Sequence, residues 1–291
     1  WDPVKRLLVL ALLFSSLNQA EASSATDPRL ADRMDRISLG FLDRPYLADP
    51  LGEGTGARYD GDPRLRLDGF DCTTFVETVI AISKSRNSAE TSRRMDRIRY
   101  RKGRVGFETR NHFPDVDWIR NNTQAKILKD ITSTVDADAT LIAEALIEKD
   151  EWYKLLSIER LSGIPETEKE ARLTELRGLS VHHGKQLSRV PYLDKRAIVA
   201  RPEILARIPS GSVINIVRPN FDATKGAGTH MNITHQGFAF HKSGVVYFRH
   251  ASPTKDPVTG KGKVKEELLL DYVTATLSSP SIGGINILSV R

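Results

Sequence analysis

Residues 69–82 read Gly69-Phe70-Asp71-Cys72-Thr73-Thr74-Phe75-Val76-Glu77-Thr78-Val79-Ile80-Ala81-Ile82, and the other elements can be placed outward from this segment. Asp71 suits a helix N-cap, because its carboxylate can accept from backbone N–H groups that a first turn leaves unpaired. The run behind it is apolar on most sides, as in a buried helix. The pattern predicts such a helix with Cys72 in its first turn. A thiol there feels the positive end of the helix dipole, which favours thiolate and lowers the pKa. A thiolate paired with histidine can attack amides. A lone cysteine is more often a small core residue. Against that, Cys72 sits in a polar helix entry, is retained behind an export-like leader, and has histidines clustered downstream.

Four of the seven histidines, His230, His235, His241 and His250, fall within 230–250. Strands are expected at 212–217, 237–240, 245–250 and 285–290, with Lys242-Ser243-Gly244 as a hairpin turn. His235 directly precedes the strand that opens Gln236-Gly237-Phe238, and His250 closes the partner strand. A hairpin brings such ends together, as a base and its orienting group require. His230 and His241 read as surface or structural residues. No His-Glu-x-x-His run exists, and one cysteine cannot build a thiolate cage, so no metal site is expected.

Upstream, Leu30, Met34, Ile37 and Phe41 have helical spacing behind Asp27-Pro28, and 44–68 is loop-like. Short strands and a loop are expected at 94–118, with Asp115 and Asp117 capping a helix near Trp118. An accessory helical insertion is expected at about 122–180, from stripes such as Ile127, Leu128 and Ile131 and then Leu141, Leu146 and Trp152, while 182–202 reads as irregular. Helices first and strands later predict an α+β fold with an antiparallel sheet.

The 291 residues, 40% hydrophobic and 27% charged, suit one large or two small globular domains and exclude collagen, coiled coil, disordered tail and multi-span membrane protein. A net charge of +6 favours anionic partners such as cell-wall polymer. The basic residues are scattered and form no nucleic-acid motif, so no nucleic acid partner is expected. Lys5-Arg6, the apolar run 7–14 and Ala20-Glu21-Ala22 read as a signal peptide over 1–22, with translation beginning at Val4. The run is shorter than the ~20 residues that span a bilayer, and no cysteine follows to carry a lipid anchor. These features predict a periplasmic or secreted protein with a mature single domain at 23–291.

The segment Gly69 to Glu77 resembles the nucleophile segment of the NlpC-type bacterial cell-wall cysteine hydrolases. Their His-x-Gly motif is matched by His235-Gln236-Gly237-Phe238, and their third polar residue, often His, by His250-Ala251-Ser252. Ser210-Gly211-Ser212-Val213-Ile214 resembles their Gly-Asp strand opening, with Ser212 where Asp is usual. Within that group the chain resembles the N-acetylmuramoyl-L-alanine amidase-like branch. The matches are Phe41-Leu42-Asp43-Arg44-Pro45-Tyr46, Arg110-Asn111-His112-Phe113 ahead of Asp117-Trp118-Ile119, and Gly284-Ile285-Asn286-Ile287-Leu288.

The resemblance implies a papain-like fold, with the nucleophile helix packed on an antiparallel sheet. It implies Cys72 as nucleophile, His235 as base and His250 as its orienting group, with no metal or organic cofactor. Tyr46 would frame the oxyanion; Tyr59, nearer Cys72 in sequence, is the second candidate. Arg110 and His112 would lie beside the cleft and bind substrate, or else be a solvated side chain and a turn cap. The implied substrates are peptidoglycan fragments (muropeptides), cut between N-acetylmuramic acid and L-alanine. A stem-peptide endopeptidase, a non-catalytic wall-binding module and a histidine-based metallohydrolase stay open as alternatives.

Overall fold

A computed structural model describes residues 26–291, and the expected leader at 1–22 lies outside the described residues. Helix α1 (Pro28–Leu39) starts where Asp27 Oδ1 accepts from the Arg29 N–H at 2.7 Å, with Pro28 in the first turn. Helix α2 (Cys72–Ser83) is closed by a capping box. Asp71 Oδ1 accepts from the Thr74 N–H at 2.7 Å, and Thr74 Oγ1 accepts from the Asp71 N–H at 3.0 Å. Helix α3 (Ser88–Arg99) is capped by Asn87. Strands and a loop were expected from 94 onward; instead α3 runs to Arg99, and the strand-like pairing nearby is a single bridge between Tyr100 and Arg110.

The strands are β1 (Leu128–Asp130), β2 (Thr140–Glu148), β3 (Lys185–Asp194), β4 (Ser212–Asp222), β5 (His230–Lys242), β6 (Val245–Ser252), β7 (Lys263–Leu268) and β8 (Gly284–Val290). They form one antiparallel sheet in the order β2-β3-β8-β4-β5-β6-β7, with β1 also on β8. The expected turn at 242–244 is present. Ser243 and Gly244 both have positive φ (50° and 80°), as a two-residue hairpin with right-handed strand twist demands.

The expected helical insertion needs correction. Helix α4 (Lys149–Leu155) and helix α5 (Glu166–Gly178) lie within 122–180, but so do strands β1 and β2. β2 pairs along its whole length with β3, in the stretch read as irregular. The error has a definite source. Ala143, Ala145 and Ile147 face inward with the period of two of a strand; of the residues taken as a helical stripe, Leu146 lies on the opposite face and is 44% exposed, and Leu141 lies near the strand's start and is 47% exposed. Small inward residues hid the alternation.

One sheet face carries α1, α2 and α3: Met34, Phe75, Ile80 and Met95 pack with Phe238, Phe240 and Leu288. Each fully buried side chain of this size contributes about 1.5–3 kcal/mol. The other face, with Ile216, Ala239, Phe248 and Ile287, lies under Ile198, Leu205 and helix α6 (Leu269–Ala275). Among the described residues no helix is long and apolar enough to cross a membrane.

Candidate active site

Cys72 opens α2, and α2 is tied to the sheet at this end. Thr73 Oγ1 donates to Gln236 Oε1 at 2.7 Å, and Gln236 Nε2 donates to Asn215 Oδ1 at 2.7 Å. The β5–β6 ladder runs only from Lys242–Val245 to Phe238–Arg249. Beyond it β6 keeps pairing with β7, and the Gln236 main chain lies close enough to the Cys72 thiol to offset part of the rise in its pKa. The thiol therefore meets the sheet at the residue next to His235. Glu77, one turn further along α2, accepts from Arg99 and from Trp118 Nε1, each at 3.0 Å, and so locks the helix to its neighbours.

Burial, and after it the Asp71 carboxylate, push the Cys72 thiol up to about 12. Burial, and after it His250, bring His235 down to about 3. The resting pair is thus a neutral thiol and a neutral imidazole. A resting thiolate, expected from the helix dipole, does not hold. Removing a charged sulfur from water outweighs the partial charge at a helix end.

His235 and His250 come together because Gly237 lies between them. A Cβ at Gly237 would sit 2.6 Å from the Phe248 ring and 2.7 Å from both Arg249 O and His250 Cβ. His235 Nε2 and His250 Nδ1 are 2.6 Å apart, with the rings at 82°. His250 Nε2 lies 2.8 Å from Glu267 Oε1, which Lys265 Nζ also approaches at 2.8 Å. The His250 ring stacks on Phe248 at 4.4 Å and meets Tyr272 edge-on at 5.7 Å. Burial lowers the His250 pKa, and the Glu267 hydrogen bond offsets part of that. The same hydrogen bond, with help from Lys265, holds Glu267 down to about 2.

Glu267 and Tyr272 were not singled out from sequence. Within Lys263-Val264-Lys265-Glu266-Glu267 nothing separates Glu267 from its charged neighbours until strand pairing sets it diagonally across from His250.

Tyr46 is bridged to Phe70, and its N–H donates to Gly262 O at 2.8 Å. Burial, and after it the nearby Cys72 and Asp71, raise its pKa, so its phenol stays protonated. Tyr59 is elsewhere: it donates to Glu175 Oε1 at 2.9 Å and packs edge-on against Phe107.

Arg110 is buried. Its Nε donates to Glu53 Oε1 at 2.8 Å and its Nη2 to Asp60 Oδ2 at 2.7 Å. It is therefore neither solvated nor open on all sides, and it braces the 49–60 loop. His112 sits between Phe107 (4.5 Å) and Trp152 (4.6 Å), and its Nε2 donates to Phe107 O at 2.8 Å. Burial, then Arg110, keep its ring neutral. Arg110 and His112 line a recess of about 320 Å³ with Asp117, Lys149, Trp152 and Tyr153. Helix 114–119 connects this recess to β5, because Asp115 accepts from the Asn232 N–H at 2.7 Å and the Ile233 N–H at 3.3 Å. Among the described residues no group of three or more His, Cys, Asp and Glu side chains is placed to hold a metal ion. His241 instead donates to Ile208 O at 2.6 Å.

The fold, a sheet flanked by helices, is shared with solved structures. A crystal structure of a Legionella pneumophila protein of the family model DUF1460 is 35% identical, covering 96% of this chain and 92% of that one at a TM-score of 0.83. An N-acetylmuramoyl-L-alanine amidase from Bacteroides uniformis is 22% identical, covering 90% and 99% at a TM-score of 0.61. A putative xylanase from Bacteroides fragilis is 24% identical, covering 87% and 98% at a TM-score of 0.60. At these lower identities the likeness is one of fold. Among curated proteins none is significantly similar. Residues 36–279 match the N-acetylmuramoyl-L-alanine amidase-like family, described as AmiA-like, and the chain belongs to that family of amidase-like cell-wall hydrolases.

Proposed function

We propose that this protein is a papain-like, NlpC-type cysteine hydrolase of the periplasm or extracellular space that opens the amide between N-acetylmuramic acid and L-alanine in muropeptides. The observation that carries this is the bonded pair His235–His250, set next to Gln236, the strand residue bonded to Thr73 beside the Cys72 thiol. The Cys72 proton passes to His235 as sulfur attacks the lactyl carbonyl carbon, forming the S–C bond. The oxyanion lies against the Cys72 backbone N–H and the Tyr46 hydroxyl. His235 returns the proton to the departing L-alanine nitrogen as the C–N bond breaks. Water then attacks the thioester, His235 takes its proton, and the C–S bond breaks to regenerate the thiol. No cofactor enters these steps.

The 110–113 segment and the insertion together wall the recess, to which we assign the sugar-lactyl group. Trp152 and Tyr153 supply aromatic surface there, and Lys149 and Asn121 supply polar groups. The test is hydrolysis of an N-acetylmuramoyl tripeptide, with the products weighed by mass spectrometry. Free sugar acid with an intact peptide beginning at L-alanine supports the reading. An N-acetylmuramoyl dipeptide ending in D-glutamate would identify a stem-peptide endopeptidase instead.

A further inference from the structure

Glu267 is the outermost member of the hydrogen-bonded run that ends at His235, and it is the one member whose role as donor or acceptor is not in question. An ionised carboxylate only accepts. We propose that Glu267 sets the proton positions of both imidazoles and so leaves His235 Nδ1 as the bare nitrogen that serves as base. This rests on the cysteine mechanism proposed above for the use of that nitrogen, but not for the proton positions themselves.

The order follows atom by atom. Glu267 Oε1 accepts, so His250 Nε2, 2.8 Å away, carries a hydrogen. A neutral His250 then has a lone pair on Nδ1. That atom, 2.6 Å from His235 Nε2, accepts, so His235 carries its hydrogen on Nε2. His235 Nδ1 is left as a lone pair. An imidazolium at His250 would break this order by donating from both nitrogens. Two things oppose it: the ring is buried, and Lys265 Nζ already supplies a positive partner to the same Glu267 oxygen at 2.8 Å. Without the carboxylate His250 Nε2 loses the acceptor that holds its hydrogen there, and His235 loses its preference with it. The wrong tautomer at a catalytic imidazole disables it even when the ring is well placed.

Position favours an economical test. Glu267 lies on β7, the last strand of the sheet order, and its side chain is 32% exposed, so substitution leaves no large cavity. Long-range ¹H–¹⁵N spectra of ¹⁵N-labelled full-length protein near neutral pH report which imidazole nitrogens carry hydrogen. In the wild type, both His235 and His250 should be protonated on Nε2. Glu267→Leu should give mixed or reversed tautomers at both rings and lower kcat by roughly 10- to 100-fold, part of the ~10²–10⁴ a general base supplies. Glu267→Gln, whose amide oxygen can still accept, should keep the wild-type tautomers and stay within a few-fold of wild-type kcat. In a His250→Ala background, Glu267→Leu should cost almost nothing more, because the connection is already cut.

A wild-type His250 protonated on Nδ1, or tautomers unchanged in Glu267→Leu, would overturn the proposal. So would a loss in Glu267→Gln as large as in Glu267→Leu, or full additivity with His250→Ala. The spectra need no turnover. If Cys72→Ala kept its activity while the tautomers behaved as stated, the cysteine mechanism would fall and the role of Glu267 in ordering the protons would stand.

Discussion

Two buried polar clusters, one around Arg110 and one around His235, are built on opposite principles. Around Arg110, a permanent cation is held by Glu53 and Asp60, with Asp49 at 3.8 Å. Charge is kept buried and matched by opposite charge. Around His235, burial keeps two imidazoles and a thiol neutral, and the firm charges of the run, Glu267 and its partner Lys265, lie at the partly exposed end. The first cluster is a brace, because matched buried ions are costly to separate. The second can pass a proton, because neutral groups in a hydrogen-bonded run differ little in energy between donor and acceptor states. Burial alone therefore does not mark a functional site; what matters is whether the buried groups are fixed ions or neutral groups with alternative proton positions.

The sharpest break of this contrast is Cys72→Ala or His235→Ala. Each should lower turnover of an N-acetylmuramoyl peptide by at least ~10⁴-fold with thermal unfolding close to wild type. Near-normal hydrolysis by Cys72→Ala would remove the proton-passing role from the His235 cluster. Next in size is Arg110→Ala, which strands Glu53 and Asp60 without a partner. It should destabilise the fold by about 3–5 kcal/mol in denaturant titrations. A stable Arg110→Ala protein with weakened substrate binding would instead make Arg110 a ligand for substrate rather than a brace.

His250→Ala should retain part of the activity. The expected loss in kcat is roughly 10- to 100-fold, smaller than for His235→Ala in side-by-side assays, because it orients the base without replacing it.

A further break lies in the pH dependence of stability. His235 falls from an ordinary 6.5 to about 3 in the folded protein, so between these values the unfolded chain binds more protons. Its contribution is fully present above about 6.5 and is lost as pH falls toward about 3. Unfolding temperatures measured across that range should show a shallower acid decline in His235→Ala than in wild type. Glu53 has the opposite sign: burial raises it above 4.5, so its contribution is present below that value and is lost as pH rises through its folded value. Equal slopes in wild type and His235→Ala would mean that the imidazole is not held neutral.

Much of the site was legible because its signals are local. The Asp71 cap, the strands at 237–240 and 245–250 and the turn between them each depend on a few adjacent residues. Pairing His235 with His250 followed from the hairpin. The insertion was less legible, because Ala143 and Ala145 carry too little hydrophobic contrast to show a strand's alternation. Arg110 and His112 were visible as a segment, but their burial was not, since it depends on Trp152 and on the 49–60 loop.

By itself the sequence determined the capped helix that begins at Cys72, the β-hairpin between the two histidines and the glycine that lets them approach. Capping, turn geometry and the absence of a Cβ act within a turn or a strand. Only the tertiary structure decided that Glu267, 17 residues from His250, closes the hydrogen-bonded run, and that the thiol rests neutral. Strand register chooses between Glu267 and its charged neighbours Lys265 and Glu266, and desolvation depends on every group packed around the sulfur; neither is written in the residues next to it.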